Sequence, residues 1–266
     1  MSESEMPEAK AAATLVLFRD RAGLPPEILM VERSAGMAFA GGAVVFPGGR
    51  VDEDDFLIAQ RFPEYDADDA AARVAAIRET IEESLIAVGV VGPVSDDWLA
   101  EARTWLHDRK PFSELLDAAG LALDLSVMHY FARWKPPFRE ARVFDTRFFI
   151  ARAPHDLPPP VVDETENVRT FWESAIGVID LASDGRVKVI FPTMRNLERL
   201  ALFAAFDEAV AHLVDIEVAM ISPIVEQRED GRYLCIPEGQ GYPVTCERLD
   251  MATTAYSREA FAKPAG

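Results

Sequence analysis

The 266-residue chain has only two cysteines, Cys235 and Cys246, both late in the sequence. So sparse a count suits a reducing compartment better than a disulfide framework; the two could still lie near each other, but the favoured reading is two small, partly buried side chains. No apolar run approaches the roughly 20 residues that span a bilayer, so no membrane partner is expected. The stretch Met1 to Lys10 is polar and acidic, where a secretory leader would be basic and then apolar, so the expected location is the cytoplasm. Basic residues are also scarce, 27 against 45 acidic ones, for a net charge of -18. That surface repels a nucleic-acid backbone and argues against non-specific binding to it. The sequence has no P-loop pattern and no Gly-x-Ser-x-Gly, and His107, His129, His155 and His212 show no zinc spacing with cysteine. A serine triad and a P-loop nucleotide site are not indicated.

What is present is 49% hydrophobic and 27% charged residues, enough for a real core in one large domain or two small ones. An acidic protein can still act on anionic phosphates when bound divalent cations reverse the local field, so the acidity points towards metal. Strands are expected at Ala12 to Phe18, Glu27 to Arg33, Ala43 to Phe46, Met128 to Trp134, Arg142 to Ala151 and Glu166 to Trp172. Helices are expected at Ala70 to Val88, Asp96 to Leu106, Ser113 to Ala119 and Ser174 to Leu181, with a long one from Asn196 to Val214. Ile221 to Val225 and Arg232 to Ile236 read as a terminal hairpin, and the prolines of Pro154 to Pro160 read as a surface loop. Strands and helices alternate irregularly, without repeats, which favours one mixed α/β domain with helical insertions. We expect a disordered tail at 1–10, the main domain at 11–215 with insertions at about 56–70 and 95–127, and 216–266 as a hairpin and tail packed on it.

At about 100° per residue, Glu79, Glu82 and Glu83 share one face of the helix expected at Ala70 to Val88, while Val74, Ile77, Ile81, Leu85 and Val88 share the opposite face. Clustered carboxylates repel one another, and oxygen ligands at this spacing suit Mg²⁺ or Mn²⁺. The alternative is a solvated face on which Arg78 pairs with Glu82 at i,i+4. Against that alternative stands Phe46-Pro47-Gly48-Gly49, a strand end whose glycines let backbone approach a ligand closely.

These residues resemble the signature of the Nudix hydrolase family. Gly49, Arg78, Glu79, Glu82 and Glu83 match it, Asp55 stands at its first acid, Thr80 replaces an aliphatic residue and Leu85 replaces a glycine. The 22 residues between Asp55 and Arg78 exceed the signature's interval, which places an insertion in the box and leaves Asp55's role open. The resemblance implies an α/β/α sandwich around a mixed sheet, with a C-terminal helix and hairpin extension. It implies a metal site of Glu82, Glu83, Glu79 and the Gly49 carbonyl, with Arg78 orienting a carboxylate, and a small-molecule diphosphate as substrate. Met30 to Ala35 followed by Gly42 to Gly49 resembles a further motif of Nudix coenzyme A diphosphatases, which implies substrate contacts at Arg33, Phe46 and Gly48. That motif carries an arginine where Gly36 to Gly41 offers no cation; Arg139, Arg142 and Arg147 are the nearest candidates to meet a phosphate, Arg142 foremost. Trp134 to Pro137, Arg142 to Phe149 and Phe191-Pro192-Thr193 are similar to other stretches of that branch. Glu164 and Glu166 stand where the family often places a glutamate acting as general base or further metal ligand; the alternative is an acidic surface loop. Coenzyme A or an acyl derivative is the expected substrate. The rival readings are a broader hydrolase of NADH or ADP-ribose and a ligand-sensing module without turnover. The oligomeric state is open, a homodimer included.

Overall fold

The structure is a computed structural model that describes residues 9–37, 40–136, 143–154, 157, 159–163 and 165–249. Two long strands organise it, β1 (Lys10–Arg21) and β2 (Leu24–Arg33), joined through Ala22-Gly23 with Gly23 at φ 71. Residues alternate along β1: Leu15 and Leu17 face one side of the sheet while Val16 and Phe18 face the other, and all four are fully buried. Such a two-sided apolar strand requires a layer of helices on each face.

β1 and β2 pair only near their turn, at Phe18 with Ile28 and Arg19 with Glu27, and then part. Into the split come β3 (Ala43–Val45), which takes the edge of β2, and β4 (Gly48–Arg50), which takes the edge of β1 from Ala12 to Thr14. Phe46-Pro47 therefore lies where the sheet opens. α1 (Glu53–Ala59) follows, then α2 (Ala67–Ser84), the short strand β5 (Val90–Val91), α3 (Asp96–His107), α4 (Phe112–Ala119) and β6 (Ala122–Leu123), which pairs with β5. The sheet resumes with β7 (Met128–Trp134) and β8 (Phe144–Arg152), the latter parallel to β1. β9 (Asn167–Ser174) pairs antiparallel with β2; α5 (Ala175–Ser183), β10 (Lys188–Val189), α6 (Phe191–Leu200), α7 (Phe206–Leu213) and β11 (Met220–Ile221) complete the domain. Its mixed sheet has nine strands among the described residues, with β4 and β9 beside the path β10-β3-β2-β1-β8-β7-β11.

One core joins Leu15, Leu17 and Leu29 to Ile77 and Ile81 of α2 and to Leu99, Leu106, Phe112 and Leu116 of α3 and α4. The other joins Val16, Phe18, Met30, Phe131 and Phe148 to Phe191, Leu197 and Phe206. The fold is thus the expected α/β/α sandwich. Among the described residues no helix is long and apolar enough to cross a membrane. A terminal sheet of β12 (Ile224–Arg228), β13 (Gly231–Cys235) and β14 (Cys246–Arg248) adds Leu234, Ile236, Tyr242 and Leu249 to the second core.

Several expectations need correction. Cys235 and Cys246 form a disulfide, because β13 and β14 put them directly opposite in antiparallel register. The expected long helix is two helices: α7 begins afresh where the Asp20 carboxylate accepts the Phe206 N–H at 3.0 Å. The expected strand Ile221 to Val225 divides at Pro223, with Ile221 pairing with Trp134 on the main sheet and Ile224 opening the hairpin. The acid-bearing helix ends at Ser84, so Val88 is not on it. Lys10 already belongs to β1, its N–H bonded to the Val143 carbonyl; the rest of the expected tails, residues 1–8 and 252–266, lies outside the described residues.

Candidate active site

The opened sheet and the C-terminal half of α2 enclose a cleft of about 970 Å³, a volume suited to a nucleotide-sized ligand. Its walls include Gly48, Gly49, Glu79 and Glu82, with Phe46, Phe144, Phe148 and Trp134 elsewhere on the lining. The glycines are there because the backbone must come close. A Cβ on Gly49 would collide with the Glu79 carboxylate, and one on Gly48 would strike the backbone of Ala13 and Thr14.

Glu83 is almost wholly buried. Its Oε2 accepts the Gly48 N–H at 3.0 Å and its Oε1 accepts from Asn167 Nδ2 at 3.2 Å, with Arg33 Nη1 at 3.9 Å. Burial, and after it the negative charge of Glu79, pushes the Glu83 carboxyl up to about 8. The same two causes raise Glu82 to about 8, and burial raises Glu79 as well, against the pull of Arg78. This is an acid cluster with too little positive charge around it.

Arg78 does not pair with Glu82 as a solvated face would have it. It grips Asp55 through both ends of the guanidinium, Nε to Oδ1 at 3.0 Å and Nη2 to Oδ2 at 2.9 Å. It also donates to Glu79 Oε1 and the Arg50 carbonyl, each at 2.8 Å. Asp55, fully buried, thus reaches Arg78 across the insertion because α1 returns against α2. Arg78 orients Glu79 in the manner expected.

Glu166 is exposed at the rim of the cleft, 3.7 Å from Arg33 Nη2; Phe46 and Gly48 line it too. Arg147, by contrast, is not among the cleft residues: one residue out of step with Thr146 and Phe148, it turns to the other face of β8 and comes within 3.9 Å of Asp68. Arg139, Arg142 and Glu164 lie outside the described residues. Among those described, the only three potential ligand side chains drawn within 4.8 Å of one another are Glu226, Cys235 and Cys246, whose sulfurs are bonded together.

Sequence reasoning missed four supporting groups. Asp163 gathers the N–H groups of Thr165, Glu166 and Asn167 on Oδ1 and holds Asn167 Nδ2 at 2.6 Å on Oδ2. Asn167 is thereby aimed at Glu83. The Asp-x-x-x-Asn spacing after a proline loop was the available signal. Arg103 of α3 ties the Glu82 carbonyl, at 2.8 Å, to that of Val162, at 3.1 Å, and His107 stands 3.6 Å from Glu82.

No family model matches the chain. A Nudix hydrolase of solved structure from Alicyclobacillus acidocaldarius is 31% identical, superposes with a TM-score of 0.69, and covers 77% of this chain and 97% of its own. The chain belongs to the Nudix hydrolase family. A curated relative, the acyl-coenzyme A diphosphatase NUDT19 of Xenopus laevis, is 25% identical over 273 residues, 82% of this chain and 71% of the relative.

This Nudix hydrolase departs from the family signature at Leu85, and the geometry there shows what the glycine would do. Leu85 caps α2 in the left-handed region at φ 58, its N–H bonded to the Ile81 carbonyl at 2.9 Å. A side chain in that region is strained by about 1 kcal/mol; Leu85 offsets this by packing its half-buried side chain on the first core. Leu85→Ala loses the packing and keeps the strain, whereas Leu85→Gly loses both. Urea denaturation should therefore rank glycine above alanine by about 1 kcal/mol. Equal stabilities would mean that the left-handed cap carries no strain.

Proposed function

We propose that this Nudix hydrolase splits the diphosphate of coenzyme A or an acyl-coenzyme A into 3',5'-ADP and a phosphopantetheine, with Mg²⁺ or Mn²⁺ held by Glu79, Glu82, Glu83 and the Gly49 carbonyl. The observation that carries the reading is the uncompensated acid cluster on one wall of a nucleotide-sized cleft, beside glycines packed too closely for any other residue. The named activity of the Xenopus relative supports the choice of substrate. The donor set fits a hard divalent cation, being all oxygen and short of positive charge. Such a cation, when bound, would neutralise the diphosphate and make a water nucleophilic.

The chain's own residues would do the rest. Arg78 holds Glu79 against Gly49, Asn167 and the Gly48 N–H fix both oxygens of Glu83, and Glu166, exposed at the rim, would take the proton of the attacking water. Phe46, Phe148 and Trp134 would exclude bulk water and pack on the organic part of the substrate.

The test is a panel of coenzyme A, acetyl-coenzyme A, ADP-ribose and NADH, assayed with Mg²⁺ or Mn²⁺ and after rigorous chelation. Coenzyme A compounds should be cleaved best, and EDTA should abolish turnover until metal is restored. Because Glu82 and Glu83 titrate at about 8, metal uptake at pH 7 should release protons, seen by calorimetry in buffers of different ionisation heat. Full activity in EDTA would remove the metal reading. Cleavage of ADP-ribose or NADH alone would leave the broader hydrolase.

A further inference from the structure

Among the described residues six cationic side chains line the cleft: Lys10, Arg33, Arg50, Arg78, Arg109 and Lys110. Three are engaged. Arg78 is locked between Asp55 and Glu79, Arg33 faces Glu83 and Glu166, and Lys110 sits on Asp108 at 2.8 Å and over the Trp105 ring. Among the described residues no ion pair engages Lys10, Arg50 or Arg109. Arg50 directly follows Gly49, so its place is beside the diphosphate being cleaved. Lys10 offers a single ammonium, which cannot grip a phosphate with two parallel bonds. Arg109 offers a planar fork, and it stands on the turn between α3 and α4, on neither the sheet nor the acid helix.

We propose that Arg109 pairs a terminal phosphomonoester of the substrate, remote from the cleaved linkage, and so replaces the cation that the segment from Gly36 to Gly41 lacks. This rests on the coenzyme A reading, whose 3'-phosphate is such a group. The helical insertion is thus a specificity element as well as a cover for α2. The backbone at this point supplies the means of testing it. Arg109 sits at φ 57, where its N–H meets the Leu106 carbonyl at 2.8 Å, a helix end usually occupied by glycine. Arg109→Gly therefore relieves the backbone while removing the guanidinium, and loss of binding in that variant cannot be ascribed to unfolding.

Coenzyme A and dephospho-coenzyme A are to be compared in the wild type, Arg109→Gly and Arg109→Lys. The wild type should favour coenzyme A, and Arg109→Gly should lower that preference by about tenfold or more, chiefly through KM for coenzyme A. Arg109→Lys should retain part of it, charge without the fork. A wild type indifferent to the 3'-phosphate, or an Arg109→Gly variant that discriminates as well as the wild type, overturns the assignment while coenzyme A hydrolysis stands. Failure to cleave either compound while ADP-ribose is hydrolysed overturns the coenzyme A reading itself, and this inference with it.

Discussion

Glutamine at position 82 or 83 is expected to lower kcat by about 10²-fold or more without unfolding the protein. The separation is possible because each acid titrates at about 8 in the folded, metal-free chain: at pH 7 the carboxyl is mostly protonated, and an amide is its near-isostere. Glu82→Gln should be silent in stability below about pH 4.5, where the wild-type carboxyl is protonated in both states, and stabilising at pH 7. Glu83→Gln replaces one of two acceptor oxygens by a donor facing either the Gly48 N–H or Asn167 Nδ2, which should cost about 1 kcal/mol. The pH dependence has a definite sign. Both carboxyls titrate near 4.5 when unfolded and about 8 when folded, so the unfolded chain gives up its protons first and metal-free wild type loses stability as pH rises from about 4.5 to 8. Glutamine has no proton to lose, so the variants gain on the wild type across that window. Urea denaturation at both ends of the window, together with turnover at saturating metal, reads the two effects separately. Near wild-type turnover in both variants would reduce this face of α2 to solvated surface.

How much of this was legible depended on the distance over which the deciding interaction acts. The two faces of α2 follow from its own sequence: Ile77 and Ile81 are buried in the core, while Glu79 and Glu82 line the cleft and Glu83 lies buried against the Gly48 N–H, as a helical wheel allows. The glycines of Gly48-Gly49 were likewise readable, since only close approach explains two of them after a strand. The partner of Arg78 was not, because Asp55 lies 23 residues away and reaches it only once α1 folds back. The break between α6 and α7 carries no glycine or proline; the start of α7 is capped by Asp20, 186 residues upstream, a partner no local pattern reveals. The disulfide depends on strand register between β13 and β14, and the turn away from the cleft at Arg147 depends on the register in which β8 pairs with β1. Short-range periodicity survives folding intact, whereas caps, registers and ion pairs between distant segments belong to the tertiary structure.

Arg78→Ala is expected to be the most destabilising single change in the site, by about 3–5 kcal/mol, because it strands a buried carboxylate rather than merely deleting a contact. Asp55 is fully buried, and its remaining hydrogen bond comes from the Asp52 N–H at 2.8 Å. Burial already raises its carboxyl above the ordinary value with Arg78 in place. Without the guanidinium it would take up a proton, so the loss should be smaller at pH 5 than at pH 8. Glu79 loses its 2.8 Å partner in the same step, and kcat/KM should fall together with stability. A double-mutant cycle with Asp55→Asn separates the two consequences. An amide at position 55 leaves no stranded charge, so the double variant should recover much of the stability and none of the activity, with a coupling of about 2 kcal/mol or more between the positions. Arg78→Lys should keep the charge but lose the two-pronged grip, falling between wild type and alanine in both measurements. Additive losses at 55 and 78 would mean that the pair is not what anchors α1 to α2.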